Sequence, residues 1–316
     1  MSKPLVSICI PCFNAERYLA ETLDCLLAQT WKALEIVVVN DGSSDRSGDI
    51  AESYRARGIR VAHQTQSGQC AAANHAFALS SGSLVKFFDA DDLLSPSCIE
   101  DQVQRLGGRA DTVVSAEWGR FYGEDLASFR LNPQSVWRDL LATDWLVEAW
   151  RDAQPMMQCG LWLIPREILE RTGGWDESLS LINDFEFISR VLCHAKEVRF
   201  TPGARLYYRS GIPGSLSSRK TRAAAESAFQ SILKGTGHLL ARRNDAAARL
   251  SCANVMQNFL YTFYPQHPDL RSAMSLRIAE LGGSDLPPPG GPWFQRASRL
   301  IGWKAARRLQ RAAGRA

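Results

Sequence analysis

The sequence is short of cysteine, of long apolar runs and of regularly spaced histidines, and each shortage excludes a class of protein. Eight cysteines in 316 residues are too few for a disulfide framework, which is typical of a reducing compartment. No apolar run approaches the roughly 18 residues that a membrane-spanning helix needs. The five histidines show no metal-ligand spacing, and there is no phosphate-binding glycine loop or nucleophilic serine motif. The first apolar stretch stops at Pro11 without a cleavage site. We therefore expect a cytoplasmic protein without a signal peptide.

Acidic residues are absent after Asp285, whereas seven arginines and lysines follow it. Removing those seven charges from the net charge of +4 leaves −3 on the preceding residues, which argues against general nucleic-acid binding. Helical spacing of apolar residues in the tail predicts one basic amphipathic helix. That helix either lies at the inner face of the cell membrane, through residues 293–316, or docks on its own domain. The apolar positions are Phe294, Ala297, Ile301, Ala305, Leu309 and Ala312.

The first hundred residues alternate between short apolar runs and helical patterns. Successive β-α-β units with short turns predict a mostly parallel sheet with helices on both faces. The predicted strands cover residues 5–10, 36–39, 59–62 and 84–88. Helices are expected after an N-cap at Asn14, over residues 45–55 and 70–79, and from Ser95-Pro96 with proline in its first position. After residue 221 the chain becomes helical and rich in alanine.

Three polar clusters fall where predicted strands end, at residues 11–14, 40–45 and 89–92. In open parallel sheets ligands bind at the carboxyl ends of the strands. The fold would therefore bring these clusters to one edge. We expect a binding site there.

Asp89-Ala90-Asp91 is the sharpest local feature, because two carboxylates after a buried strand form an oxygen-rich site for Mg²⁺ or Mn²⁺. Helix-capping aspartates are the alternative. Asp41 could accept a hydrogen bond from a base or cap a helix, and Asp184 could be a general base or a first-turn acid. A redox role for Cys9-Ile10-Pro11-Cys12 is disfavoured, because these residues continue the strand pattern.

Taken in order, four motifs resemble the family 2 glycosyltransferases, inverting enzymes with the GT-A fold. They are Val6–Asn14, Val38–Asp45, Phe87–Asp92, and Gly173–Glu177 followed by Asn183-Asp184. The resemblance covers roughly residues 4–220. It implies a GT-A domain over 1–220, with a nucleotide-binding half (1–110) and an acceptor-binding half (111–220). Residues 221–316 would be a helical C-terminal extension with the basic tail.

The resemblance also implies roles for individual residues. Asp184 would be the catalytic base and Asp91 the ligand of Mg²⁺ or Mn²⁺. Asp41 would bind the base of the nucleotide and Asp89 its ribose, while Arg209 would pair with phosphate in a late loop that includes Ser215. The other donor-site residues would be Pro11, Phe13, Asn14, Ser67, Asn74 and Ala90.

The implied activity is transfer of a sugar from a nucleotide-sugar, a UDP-sugar first among them, to a hydroxyl of a glycan, lipid-linked glycan or protein. Such transfer serves cell-surface polysaccharide, lipopolysaccharide or glycoprotein assembly. The family usually has Glu before the catalytic Asp, where this chain has Asn183, and many relatives have Arg at Ala73. Two alternatives stay open: a sugar-nucleotide nucleotidyltransferase, and a non-catalytic partner that keeps the fold.

Overall fold

The computed structural model describes residues 3–212 and 221–312. These residues form ten strands and twelve α-helices, which alternate in the first hundred residues, and helices dominate the last third of the chain. The strands are β1 (Val6–Cys12), β2 (Leu34–Asp41), β3 (Arg60–Gln64), β4 (Leu84–Phe87), β5 (Leu93–Leu94), β6 (Thr112–Tyr122), β7 (Asp125–Leu131), β8 (Leu140–Leu141), β9 (Ile164–Pro165) and β10 (Glu197–Ser210). The helices are α1 (Leu19–Leu27), α2 (Ser47–Ser53), α3 (Gln69–Leu79), α4 (Cys98–Leu106), α5 (Ala142–Trp150), α6 (Arg166–Thr172), α7 (Asn183–His194), α8 (Arg222–Arg242), α9 (Ala246–Thr262), α10 (Pro268–Glu280), α11 (Pro292–Ile301) and α12 (Trp303–Ala312).

The first sheet has the strand order β3-β2-β1-β4-β9. Its first four strands run parallel, and only the short β9 is antiparallel. Consecutive residues of β1 and β2 are buried, as expected for strands covered on both faces. The mostly parallel α/β sheet predicted from the sequence is confirmed.

A second sheet has the order β5-β10-β6-β7, with β8 also paired to β10. Strands β6 and β10 are parallel over most of their length. Backbone hydrogen bonds between Val114 of β6 and Leu163 connect this sheet to the first. Trp175 stacks on Phe187 of α7, with ring centres 3.9 Å apart, and meets Phe87 of β4 edge-on. These rings join the strand before the aspartate cluster to the helix of Asp184.

Several predicted helix starts are wrong. Asn14 is not an N-cap: it has φ +49°, and α1 begins only at Leu19. Pro96 precedes α4, which begins at Cys98. The helix expected over 45–55 is shorter, running over Ser47–Ser53. In each case the residues just before the helix bond to segments that are distant in the sequence. Those bonds compete with capping of the helix.

Helix α8 packs along α7, so the start of the C-terminal extension contacts the helix that carries Asp184. A Cβ on Gly235 of α8 would lie 2.6 Å from the ring of Phe185, so the two helices approach closely. Helix α9 then packs against α5 and α10. A domain boundary at residue 220 stays a prediction.

The tail forms two helices rather than the single helix predicted. Gly302, with φ +78°, separates α11 from α12, because glycine adopts this conformation easily. Phe294 and Ala306 are buried, and Trp303 packs edge-on against Tyr261 of α9 and against Tyr264. The alternative in which the tail docks on its own domain is therefore correct for the face of the tail that packs inward. The outward face exposes other apolar side chains: Trp293, Leu300, Ile301 and Leu309.

No helix of the described residues combines the length and apolar character needed to cross a bilayer.

Candidate active site

The carboxyl ends of β1, β2 and β4 carry the three polar clusters, and the first two are bonded to each other. Asn14 accepts a hydrogen bond from the backbone N–H of Ser44 at 2.8 Å. Its own N–H donates to the hydroxyl of Ser43 at 3.0 Å. The left-handed conformation of Asn14, which asparagine tolerates, makes this exchange possible. Phe13 beside it is 43% exposed.

Asp41, at the end of β2, is buried and organises the following loop. Its carboxylate accepts hydrogen bonds from the side chain of Gln64 and from the backbone N–H groups of Ser67 and Gly68, at 2.7–2.8 Å. A carboxylate has about four acceptor sites. One therefore remains for a donor from a ligand.

Asp89, Asp91 and Asp92 form the only group of three or more potential metal-ligating side chains in the described part of the chain, with ligand atoms within 4.8 Å of one another. The amide of Gln158 donates to both Asp89 and Asp92, at 2.9 Å each. Gln69 donates to the other oxygen of Asp89 at 3.0 Å. The backbone N–H of Arg209 donates to the other oxygen of Asp92 at 2.8 Å. Protein donors thus fix both of these carboxylates.

Asp91 differs from its neighbours because no side chain of residues 3–212 or 221–312 donates to its carboxylate. Burial, together with the charge of Asp89, raises its pKa to about 7, while the charge of Arg209 opposes the rise. Burial likewise raises the pKa of Asp89 and Asp92. Three carboxylates at this distance repel one another unless a proton or a cation is shared between them. The donor set fits a hard divalent cation, with Asp91 as its most available ligand.

Asp184 lies in the first turn of α7, with its carboxyl group near Asp89 of the cluster and the backbone of Cys159. Burial raises its pKa well above the ordinary range, the charge of Asp89 raises it further, and the backbone N–H of Cys159 lowers it. Ile182, two residues before it, has φ +52°, a strained conformation for a β-branched residue. Such strain is typical of active sites.

Gln69 connects the two halves of the site. Its amide nitrogen donates to Asp89, and its carbonyl oxygen accepts from Asn183 at 3.1 Å. Asn183 donates that bond through its side-chain nitrogen, and its side-chain oxygen, Oδ1, accepts from the backbone N–H of Asp184 at 2.9 Å. A glutamate at position 183, unless protonated, would not donate to Gln69. Asn183 is thus suited to this connection.

The structure places Arg209 inside the protein rather than at the cleft surface. Its guanidinium donates to the backbone carbonyls of Asp91, at 2.6 Å, and of Gly123, and it pairs with Glu21 at 2.6 Å. It also lies between two rings, those of Tyr18 and Phe121. In this position Arg209 holds the Asp91 loop, which differs from the phosphate contact expected from the sequence. Ser215 of the same expected loop lies outside the described residues.

The remaining sequence-predicted residues divide between the two halves. Asn74 exchanges hydrogen bonds with the backbone of Trp175 and donates to Glu177, so it fixes the segment 173–177. Pro11 and Ala90 lie at the ends of their strands. Cys9 and Cys12 are buried in β1, and burial raises the pKa of both thiols to about 12.

Sequence reasoning missed Asp92, Gln69 and Gln158. Asp92 directly follows the Asp89–Asp91 triplet, and that adjacency was an available signal. The two glutamines belong to no motif. Gln158 precedes a 3₁₀ turn at Cys159–Leu161, and its side chain accepts from Gly160 while donating to the cluster.

Comparisons with known proteins agree with this architecture. A family model for glycosyl transferase family 2 matches residues 7–173. The uncharacterized glycosyltransferase EpsJ of Bacillus subtilis (strain 168) is 29% identical over 233 residues, covering 72% of this chain and 67% of EpsJ. Glycosyltransferase GlyG of Streptococcus pneumoniae serotype 4 is 28% identical over 208 residues, covering 64% of this chain and 61% of GlyG.

Solved structures of S. aureus TarS share the fold. TarS 1–349 in complex with UDP superimposes with a TM-score of 0.63 at 18% identity, covering 98% of this chain and 92% of that one. The complex of the same protein with UDP-GlcNAc gives a TM-score of 0.61 at 16% identity, over 98% of this chain and 92% of that one.

Proposed function

The chain belongs to glycosyl transferase family 2, and we propose that it moves a sugar from a UDP-sugar to a hydroxyl acceptor with inversion at the anomeric carbon. One observation carries the proposal: the carboxyl group of Asp184 is near Asp89 of the aspartate cluster, and the two segments are joined through Asn183 and Gln69. Direct displacement requires such a pair. One group binds the departing diphosphate, and a base opposite it accepts the proton of the attacking hydroxyl.

Asp184 is the proposed base. It takes the acceptor's proton as the hydroxyl oxygen bonds to the anomeric carbon and the bond to the diphosphate breaks. A raised pKa makes this carboxylate a stronger base. A divalent cation at the aspartate cluster would offset the charge of Asp89 and so lower the pKa of Asp184.

A divalent cation, Mg²⁺ or Mn²⁺, supplies charge neutralisation for the leaving diphosphate when it is bound. Asp91 is the proposed ligand because no side chain in the described part of the chain competes for its oxygens. Asp89 is proposed to hold the ribose, because Gln69 and Gln158 use one acceptor site on each of its oxygens and a carboxylate has about four. Asp41, with Pro11, Phe13, Asn14 and Ser67 around it, is proposed to line the site of the base. The UDP-bound structures of a protein with the same fold support the choice of UDP.

The acceptor is proposed to be a glycan, a lipid-linked glycan or a protein of the cell surface. The outward face of α11 and α12 supports contact with an anionic membrane, because exposed Leu300, Ile301 and Leu309 alternate with basic residues and no acidic residue follows Asp285. Each basic residue near such a surface contributes about 1 kcal/mol. Contact with the inner face of the cell membrane would bring the cleft near a lipid-linked acceptor.

The test is thermal unfolding with UDP, GDP, dTDP or CMP, each with and without Mn²⁺, in the wild type and in Asp91→Ala. A site filled at about 100 times its dissociation constant stabilises the protein by about 2.7 kcal/mol. We expect a manganese-dependent shift with UDP that Asp91→Ala loses. No shift with any nucleotide would overturn the donor assignment, and binding without turnover would favour a non-catalytic partner.

A further inference from the structure

Arg120 on β6 is an exposed arginine whose charge has no carboxylate partner among the described residues. Its guanidinium donates to the hydroxyl of Ser210 at 2.9 Å. The guanidinium carbon also lies 5.0 Å from the ring centre of Tyr208, its register partner on β10, and 5.6 Å from that of Trp118. Two rings and a hydroxyl therefore hold the side chain in place without neutralising its charge.

A second arginine stands opposite Arg120 on the neighbouring strand. Arg130 of β7 is its register partner, is also exposed, and donates only to the backbone carbonyls of Ala127 and Phe129. Like charges directly opposite each other destabilise a strand pair. This arrangement costs stability in the free protein, and binding an anion at Arg120 would offset that cost.

Arg120 and the aspartate cluster meet at two neighbouring residues of β10. Tyr208 is the register partner of Arg120, and the next residue, Arg209, donates its backbone N–H to Asp92. Burial raises the pKa of the Tyr208 hydroxyl, the charges of Asp92 and Asp89 raise it further, and Arg120 opposes them. The charges of Arg120 and of the aspartates therefore act on the same side chain.

The charge balance of the site calls for a cation other than Arg209. A nucleoside diphosphate adds negative charge to three carboxylates, more than one divalent cation neutralises. Arg209 already compensates Glu21 and has no exposed side-chain surface. Arg120 is accessible, and the planar guanidinium matches phosphate oxygens well.

We propose that Arg120 binds the diphosphate of the donor, the role that the sequence assigned to Arg209. This inference rests on the proposed function, because it assumes a nucleotide-sugar donor at the cluster. Arg209 then acts as a positioning residue that holds the Asp91 loop. Arg120 belongs to no motif, so only its neighbours in the folded chain identify it.

The test compares UDP with uridine, which lacks the phosphates, by calorimetry in the presence of Mn²⁺. The variants are Arg120→Gln, Arg120→Lys and the control Arg60→Gln. Arg60 is also exposed but begins β3, at the end of the sheet opposite the ligand edge. We expect Arg120→Gln to weaken UDP binding about tenfold, as for loss of one charged hydrogen bond. Uridine affinity and thermal stability should be unchanged, Arg120→Lys should recover part of the UDP affinity, and Arg60→Gln should match the wild type.

Unchanged UDP affinity in Arg120→Gln would overturn the inference, and so would an equal loss for UDP and uridine, which indicates a structural role. Failure of the wild type to bind any nucleotide is a different result. It would remove the donor assignment itself, and the inference with it.

Discussion

The hydroxyl of Ser231 donates a hydrogen bond to the backbone carbonyl of Ile182, with 2.7 Å between the oxygens. One turn earlier on α8, the hydroxyl of Ser227 accepts from the N–H groups of Ser180 and Leu181. The C-terminal extension therefore holds the strained residue that precedes the proposed base. Removing these bonds should affect catalysis as well as folding.

Ser231→Ala should lower the free energy of unfolding by about 0.5–1.5 kcal/mol, because the Ile182 carbonyl loses one of its two donors and keeps only the backbone N–H of Phe185. It should also lower kcat more than it changes UDP affinity, since Asp184 loses its fixed position. Chemical denaturation and steady-state kinetics measure the two effects. Ser275→Ala is the matched control, because Ser275 bonds only to its own exposed helix at Arg271. Equal kcat in both variants would contradict the positioning role of Ser231.

Asp184→Asn should lower transfer by about 100- to 10,000-fold, the range for removal of a general base. Its stability should be equal to or greater than that of the wild type, because the change removes a buried charge beside Asp89. UDP binding should persist. An exposed control, Asp152→Asn, should keep full activity. Undiminished transfer by Asp184→Asn would assign the base elsewhere.

Arg209→Met should lower the free energy of unfolding by about 2–3 kcal/mol. The substitution leaves two carbonyls and Glu21 without their donor, and the pair is buried on the arginine side only. Arg205→Met breaks a more exposed ion pair, with Glu117, and should cost less than about 1 kcal/mol. Urea unfolding of both variants gives the comparison. Similar losses in the two would argue against Arg209 as the support of the Asp91 loop.

The metal-free protein should become less stable as the pH rises from about 4 to about 7. Burial and the charge of Asp89 raise the pKa of Asp91 from an ordinary 3.8 to about 7 in the folded protein. Between these values the folded protein binds more protons than the unfolded chain, so rising pH favours unfolding. Asp91→Asn should reduce this dependence. Denaturation at pH 5 and pH 8 with a chelator measures it, and an unaltered slope in Asp91→Asn would contradict the assignment.

The affinity for Mn²⁺ should increase with pH, whereas the stability of the metal-free protein decreases. The cation binds the ionised carboxylate, so its affinity should increase as the pH rises and level off above about 7. Calorimetric titration with Mn²⁺ alone at several pH values checks this. An affinity independent of pH over that range would indicate that Asp91 is already ionised before the metal binds.

The full chain should co-sediment with vesicles that contain anionic lipid and not with neutral vesicles. A chain ending at Leu286 should lose this binding, and the paired change Leu300→Ser and Ile301→Ser should weaken it while leaving the inward face docked. Leu276→Ser is the matched control, since Leu276 is 67% exposed on α10, outside the tail. Equal sedimentation of the full and shortened chains would remove the proposed membrane contact.

The sequence alone determined the strands of the parallel sheet and the edge at which its polar clusters meet. Short apolar runs that alternate with helical patterns predict β1, β2 and β4. Polar residues directly after each strand must lie at its carboxyl end. Both signals are local in the chain. This is why the parallel sheet and the convergence of the three clusters could be predicted, along with the family that carries them.

Only the tertiary structure decided which side chains support the site and which are free to bind. Arg209 and Arg120 are both arginines of a strand in the sequence, yet Arg209 is buried and pairs with Glu21, 188 residues away, while Arg120 is exposed and has no carboxylate partner among the described residues. Gln158 and Ser231 likewise act through partners far along the chain. Such roles depend on which face of an element is covered after packing, and the order of residues in one segment does not contain that information.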